Sequence, residues 1–528
     1  MSFARNRLIL IAGLLCLELV GLALAYQVLT SFECQATEAM GACRFLRSFV
    51  ARAISILAAL AVFAWARPAA MGRLVRRIEA NAGGSAWSSL HFAGVALMFA
   101  PLLLPASSPG DLFLRAVGPW LIGATAAGVG ALLWLAPPRD WFDWLREERF
   151  APLAVLAAGF AIPDLAELAQ PLWYWPALAR ATFDAVYLAL RGIGAGPVAD
   201  PPAYIIGIDG FLVHIAQQCS GIEGLAMMTA FALLYSALFR DTLRLWRFWL
   251  VVVPLGLALS WLLNVARIAG LILIGARISP DLAVNGFHSY AGWMFFTLLA
   301  LALLYVAQVT PWLRKGPRDL GARPLGEDWT AARILPFVVF MLGSVAASAL
   351  SSHPDLAYPL KATAMAAALW FFRRCYARLD RGIDPVALVA GVGVGFGWIL
   401  LRAPASAEDA RLAAGLAGFG GAAFALWATT RILGTVLLVP MIEELFFRGY
   451  VLARLDRGGL AWRFVAIAVS SALFAALHGR WLAAGAAGLV FACVFLRRGR
   501  LSDAIVAHVV ANFVVAGWAV ANGDWSAI

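Results

Sequence analysis

The sequence predicts an all-α, polytopic integral membrane protein of roughly 14 transmembrane helices in two helical modules. Three observations carry that expectation. Of 528 residues, 62% are hydrophobic and 13% charged, about half the charged share of an ordinary soluble domain, and mean hydropathy is +0.82. A spanning helix needs about 20 mostly apolar residues, and roughly 14 such segments follow one another, several shortened or interrupted by Gly and Pro. The 41 Lys and Arg residues outnumber the 30 Asp and Glu, giving a net charge of +11, but they sit in short loops between apolar segments. That pattern marks cytoplasmic loops and not a nucleic-acid surface. The bilayer is the expected partner, nucleic acid is not, and no soluble domain of any size fits between the spans.

Arg5 and Arg7 precede an apolar run from Leu8 to Ala25 that ends Ala23-Leu24-Ala25, in the manner of a cleavable signal peptide. Its length exceeds the usual signal h-region and favours an uncleaved first span. Cys34 and Cys43 follow in a loop assigned to the outside, where a disulfide is chemically permitted. Spans near 8–27 and 48–66 bring the chain to the basic loop of Arg67, Arg73, Arg76 and Arg77. Spans near 89–105 and 114–136 lead to Arg139, Arg146 and Arg149, and both basic loops are cytoplasmic by the positive-inside rule. A fifth span near 151–169 carries the chain outward. There, residues 172–191 mix aromatic and polar side chains as an interfacial helix does, and Ile205 to Phe211 form a short hairpin.

The run Gln217-Gln218-Cys219-Ser220-Gly221-Ile222-Glu223 then opens onto an apolar segment ending at Leu238. Ser220 with Glu223 three residues later is a capping-box pattern, which starts the helix at Ser220 and leaves Cys219 just before it. A helix N-terminus attracts negative charge, and the thiolate is the form of cysteine that attacks. Alone, a free cysteine is as readily a buried, inert packing residue. The chain descends to the basic stretch 240–247, climbs through Asn264-Val265-Ala266-Arg267, and turns down again near His288. Counting therefore puts Cys219, Arg267 and His288 near the outer ends of three successive spans. An arginine inside an apolar run usually faces a cavity or a partner. Together the three supply a thiol, an imidazole able to take its proton, and a fixed cation able to stabilise an oxyanion, which are parts for acyl transfer.

These motifs, Cys219-Ser220-Gly221-Ile222-Glu223, Asn264-Val265-Ala266-Arg267-Ile268, and His288 followed by Gly292-Trp293, resemble the Cys, Arg and His motifs of the exosortases over roughly residues 1–315. The resemblance implies a sortase-like transpeptidase of the bacterial inner membrane with its site on the periplasmic side. It would cleave C-terminal sorting signals from exported proteins. Cys219 would be the nucleophile, His288 the acid/base and Arg267 the transition-state stabiliser.

Residues 312–333 form the clearest boundary, with Arg314, Lys315, Arg318, Arg323, Glu327 and Asp328 among three Gly and two Pro. A cytoplasmic linker over 316–333 separates the first module, 1–315, from the second, 334–528. Spans near 334–352, 359–373 and 384–401 follow, then a long helix over about 422–455. That helix carries Glu443-Glu444-Leu445-Phe446-Phe447-Arg448-Gly449. Glu444 and Arg448 are a natural i, i+4 pair, which leaves Glu443 as the freer carboxylate, suited to general-base use. Downstream come Phe474 with His478, and His508 with Asn512 on one helix face. Such residues also occur simply as polar glue between helices.

The set resembles the CPBP family of glutamic intramembrane proteases related to CAAX prenyl endopeptidases, whose motifs are Glu-Glu-x-x-x-Arg, Phe-x-x-x-His and His-x-x-x-Asn. By that likeness Glu443 and His478 activate a water, and His508 and Asn512 hold the oxyanion. Two histidines and a glutamate are also zinc-ligand types, and spacing alone does not exclude zinc, but the family pattern implies metal-independent attack, without a cofactor. At about 1.5 Å per residue from the basic helix ends, Glu443 lies roughly 16 Å deep, His478 about 22 Å and His508 about 9 Å, so tilted helices are needed to bring them together. The joined architecture resembles exosortase/protease fusions linked with VPEID-type C-terminal signals. A competing reading is a multi-pass transporter with buried ion pairs and broken spans, which forms no covalent intermediate.

Overall fold

The computed structural model describes residues 3–28, 48–81, 83–103, 109–169, 171, 174–316, 324–380, 382–402 and 407–528. Cys34 and Cys43 lie outside the described residues. The fold is almost wholly helical. Among the described residues, eight helices are long and apolar enough to cross a membrane, or nine if the bent pair around Arg67 is one span. This falls short of the expected fourteen. Apolar stretches such as Ile222–Leu238 and Pro385–Leu400 form helices of only 10–17 residues, below the roughly 20 that span hydrocarbon.

The chain divides into two compact units, Met1–Gln170 with Asp456–Val465, and Pro171–Leu455 with Ala466–Ile528. In the first unit, helices α1 (Phe3–Ala23), α2 (Phe49–Ala66), α4 (Ala86–Phe99), α5 (Pro109–Leu135) and α7 (Ala151–Ala169) are apolar. The basic connections are not open loops. Pro68–Ala80 (α3) and Pro138–Glu147 (α6) are amphipathic helices, each begun by a proline in its first turn, where a missing N–H costs nothing. They pack together through a Trp144 Nε1 bond to the Ala70 carbonyl at 3.0 Å and an Arg73 Nε bond to Glu148 at 2.8 Å, so both basic stretches share one side of this unit. Two polar pairs sit among its apolar helices. Arg52 holds Asp164 through two bonds of 2.6 and 2.7 Å, and buried His91 meets Glu18 at 3.0 Å.

The second unit opens with α8 (Pro176–Gly192), followed by a three-stranded antiparallel sheet of β1 (Val198–Asp200), β2 (Ile205–Ile208) and β3 (Phe211–His214). The expected hairpin is its β2–β3 half, with Ile206 opposite Val213. Asp209 and Gly210 turn it with φ of 50° and 86°, the paired positive values of a type I′ turn. Ile206 and Ile208 bury the sheet against Phe183, Leu190 and Ile272.

Beyond the sheet stand α9 (Ile222–Leu238), α10 (Val253–Arg277) and α11 (His288–Val309), with α9 and α11 both packed on α10. Asp328 caps α12 (Trp329–Leu350) by accepting from the Thr330 and Ala331 amides, so this helix starts five residues earlier than the expected 334. α12 packs along α11. Next come α13 (Tyr358–Phe371), α14 (Pro385–Leu400), α15 (Ala407–Ala417) and the long run Gly421–Leu455, which is widened twice into π-turns, at Gly434–Leu438 and Phe447–Leu452. Leu460–Ala476 (α16), Trp481–Arg498 (α17) and Leu501–Asn522 (α18) complete the unit. Around Phe447, Phe474 and Phe491, helices from across this region share one aromatic core.

Candidate active sites

Cys219 does not precede a Ser220-capped helix. Residues Gln217–Ser220 make a 3-10 turn, Gly221 follows in the left-handed region at φ 93°, and α9 begins at Ile222 with no side-chain cap. The capping box fails because Ser220 turns inward: it is fully buried, and its carbonyl accepts from Thr182 Oγ1 at 2.9 Å. Trp261 Nε1 in turn donates to that hydroxyl at 2.9 Å. Gly221 is required twice, by its positive φ and because a Cβ there would lie 3.0 Å from Asn264 Nδ2.

Asn264, one turn before Arg267 on α10, joins the three motifs. Its Nδ2 donates to the Cys219 carbonyl at 3.0 Å, and its Oδ1 accepts from Arg267 Nη2 at 2.9 Å. Arg267 Nη1 continues to the His288 carbonyl at 3.4 Å. Cys219 is half-buried, and His288 is exposed at the start of α11. Among the described residues the imidazole makes no hydrogen bond with the thiol. Arg267, Asn264 and Glu223 line a cavity of about 60 Å³ beside this chain of contacts. Asn264 stood in the sequence motif without a role. Its i, i+3 spacing from Arg267 was the available signal.

The second group converges more tightly. Glu443, His478, His508 and Asn512 all line one cavity of about 200 Å³, although they come from three separate stretches of chain. The unequal depths counted along straight helices do not keep these side chains apart: π-turns interrupt the helix that carries Glu443, and α16 ends before His478. Glu444 and Arg448 are fully buried and paired at 2.9 Å. Arg448 also donates to the Gly488 carbonyl at 2.8 Å, and its guanidinium lies 4.8 Å from the Phe474 ring centre. His508 Nδ1 lies 2.9 Å from Glu444 Oε1, while its Nε2 is 4.0 Å from Glu443 Oε2. Phe491 stacks on the His508 ring at 4.6 Å. Glu443 Oε2 is buried without a hydrogen-bond partner among the described residues.

His478 Nδ1 lies 2.8 Å from the Phe474 carbonyl. A carbonyl only accepts, so that nitrogen carries a proton and Nε2 is left as the basic position. Trp398 meets the same ring edge-on at 6.0 Å. Asn512 Nδ2 donates to the Thr435 carbonyl at 2.8 Å, in the first π-turn. Neither Trp398 nor Thr435 stands out in the sequence, because neither has titrating chemistry. Among the described residues no three His, Cys, Asp or Glu side chains are grouped as metal ligands would be.

No curated protein and no solved structure matches the chain. Two family models do. Residues 50–306 match the transmembrane exosortase family, and residues 425–514 match the type II CAAX prenyl endopeptidase Rce1-like family. The first match contains Cys219, Asn264, Arg267 and His288, and the second contains Glu443, Glu444, Arg448, His478, His508 and Asn512. The chain is thus a fusion of a transmembrane exosortase with a CAAX-protease-type module, a multi-pass membrane peptidase or transpeptidase whose substrates are proteins bearing sorting signals.

Proposed function

We propose that Cys219 cleaves C-terminal sorting signals of exported proteins at the periplasmic face of a bacterial inner membrane. The thiolate attacks the scissile carbonyl, Arg267 stabilises the oxyanion, and His288 gives a proton to the departing amine. The thioester then passes its acyl group to water or to an amine. The observation that supports this reading is the bridge from the Cys219 carbonyl through Asn264 and Arg267 to the His288 carbonyl, which ties three motifs to one point. The thiol and imidazole are not bonded in the free protein. Catalytic hydrogen bonds often tighten only with substrate in place.

In the second module Glu443 and His478 activate a water that attacks a peptide carbonyl within the membrane. Glu444, gripped by Arg448, fixes the His508 ring through Nδ1 and turns Nε2 toward Glu443, so His508 is positioned to donate to the developing oxyanion alongside Asn512. Asn512 would release Thr435 to do so. The modules are taken as 1–315 and 334–528 with a linker over 316–333, and the signal as one of the VPEID type.

The test is a reporter carrying a VPEID tail, expressed with wild type, Cys219→Ala or Glu443→Ala and followed by length. Tail loss unchanged in Cys219→Ala would sink the first assignment and revive a transporter reading. Unchanged processing in Glu443→Ala would remove the second module from this substrate's path.

A further inference from the structure

A third cavity, about 460 Å³, larger than either cavity beside the candidate catalytic residues, is lined by residues of the exosortase match and of the stretch that joins it to the second match. One wall is the π-turn and helix start that carry His288: Asp281, Asn285 and Tyr290. The other wall is the turn after α12 together with α15: Ser351, His353, Asp355 and Arg411. The walls meet without slack, since a Cβ on Gly286 would lie 2.8 Å from the Ser348 carbonyl. A chain of contacts leads onward from one wall. Asp355 accepts from Arg431 Nη1 at 3.4 Å, and Arg431 Nε donates at 2.8 Å to the carbonyl of Ile528, a residue that lines the Glu443 cavity.

We propose that this cavity docks an extended, polar segment of the substrate polypeptide and is shared by the two catalytic regions. The inference rests on the peptidase reading of Cys219. Its volume falls in the range of about 300–1,000 Å³ in which pockets hold ligands. Its mixed lining of carboxylates, guanidinium, imidazole, amide and hydroxyls beside Leu282, Pro354 and Leu356 offers both donors and acceptors to a peptide backbone. Asn285 donates to Asp281 at 2.8 Å and Arg431 to Asp355, and an acyl chain would bury these polar groups with no further partner for their remaining donors and acceptors. A segment held here has the His288 end of the first site on one side and the Asp355–Arg431 approach to the second site on the other.

The test uses full-length protein in membranes, bearing Cys219→Ala so that bound reporter is not turned over. A photo-crosslinking amino acid replaces Tyr290 or, as the control, Gln218 of the cavity beside Arg267. The VPEID-tailed reporter should crosslink at both positions. Charge reversal by Asp281→Lys with Arg411→Glu should cut the yield at position 290 about ten-fold and, with Cys219 restored, raise KM by a similar factor at unchanged kcat. Crosslinking at 218 but not at 290, or at 290 only to phospholipid, overturns the docking site and leaves the Cys219 reading intact. No crosslink at either position overturns both.

Discussion

The Asn264 side-chain amide donates to the backbone carbonyl of Cys219 at 3.0 Å. The same side chain receives Arg267, so one residue links the Cys219 backbone to the Arg267 guanidinium. Asn264→Ala should leave the helices intact yet lower the rate of tail release about 100-fold, the scale on which a misplacement of about 1 Å acts. The measurement is single-turnover release of reporter tail, with helical content followed by circular dichroism. Asn264→Asp, which keeps the acceptor for Arg267 and loses the donor, should retain more activity than alanine.

Gly221→Ala forces a side chain onto φ 93° and toward Asn264 at 3.0 Å. A left-handed alanine costs roughly 1–2 kcal/mol, and the strain falls on the turn that holds Cys219. Thermal unfolding in detergent should show a small loss, and tail release a larger proportional one. Equal wild-type activity would mean that the turn can reshape at no cost to the site.

Glu443 and Glu444 are neighbours with opposite expected phenotypes. Glu444→Ala leaves the fully buried Arg448 without its carboxylate, a defect worth about 3–5 kcal/mol for a buried pair. Glu443→Gln leaves the Glu444–Arg448 pair in place and should lower activity of the second site at least about 100-fold with little change in unfolding temperature. Comparing unfolding midpoints with processing by the second site separates the two outcomes.

Orientation is tested with a chain in which Cys219 is the only cysteine. Cys219 is half-buried and borders the cavity wall formed by Asn264 and Gly221. A membrane-impermeant maleimide added outside should label it in intact cells stripped of their outer membrane. Labelling only after the inner membrane is opened would invert the assigned topology.

Much of this was readable in the chain. The two candidate groups, their order and the Glu444–Arg448 spacing follow from local patterns of charge in apolar runs, where a polar residue stands out because hydrocarbon penalises it. The start of α9 was misread because a capping box is a local signal, and here burial of Ser220 against Thr182 overrides it. The π-turns at Gly434 and Phe447 leave no trace in hydrophobic periodicity, so counting at the regular α-helical rise missed them, and the shared cavity of Glu443, His478 and His508 was not legible in the spacing. The role of Asn264 depends on a backbone carbonyl 45 residues away, a partner that no side-chain pattern encodes.

Arg267 grips position 288 by its main-chain oxygen, leaving the ring uninvolved in the framework. Whatever amino acid stands there, the acceptor persists. A His288→Ala chain should accordingly be an architecturally faithful but chemically silent scaffold, suited to capturing an uncleaved sorting tail for imaging.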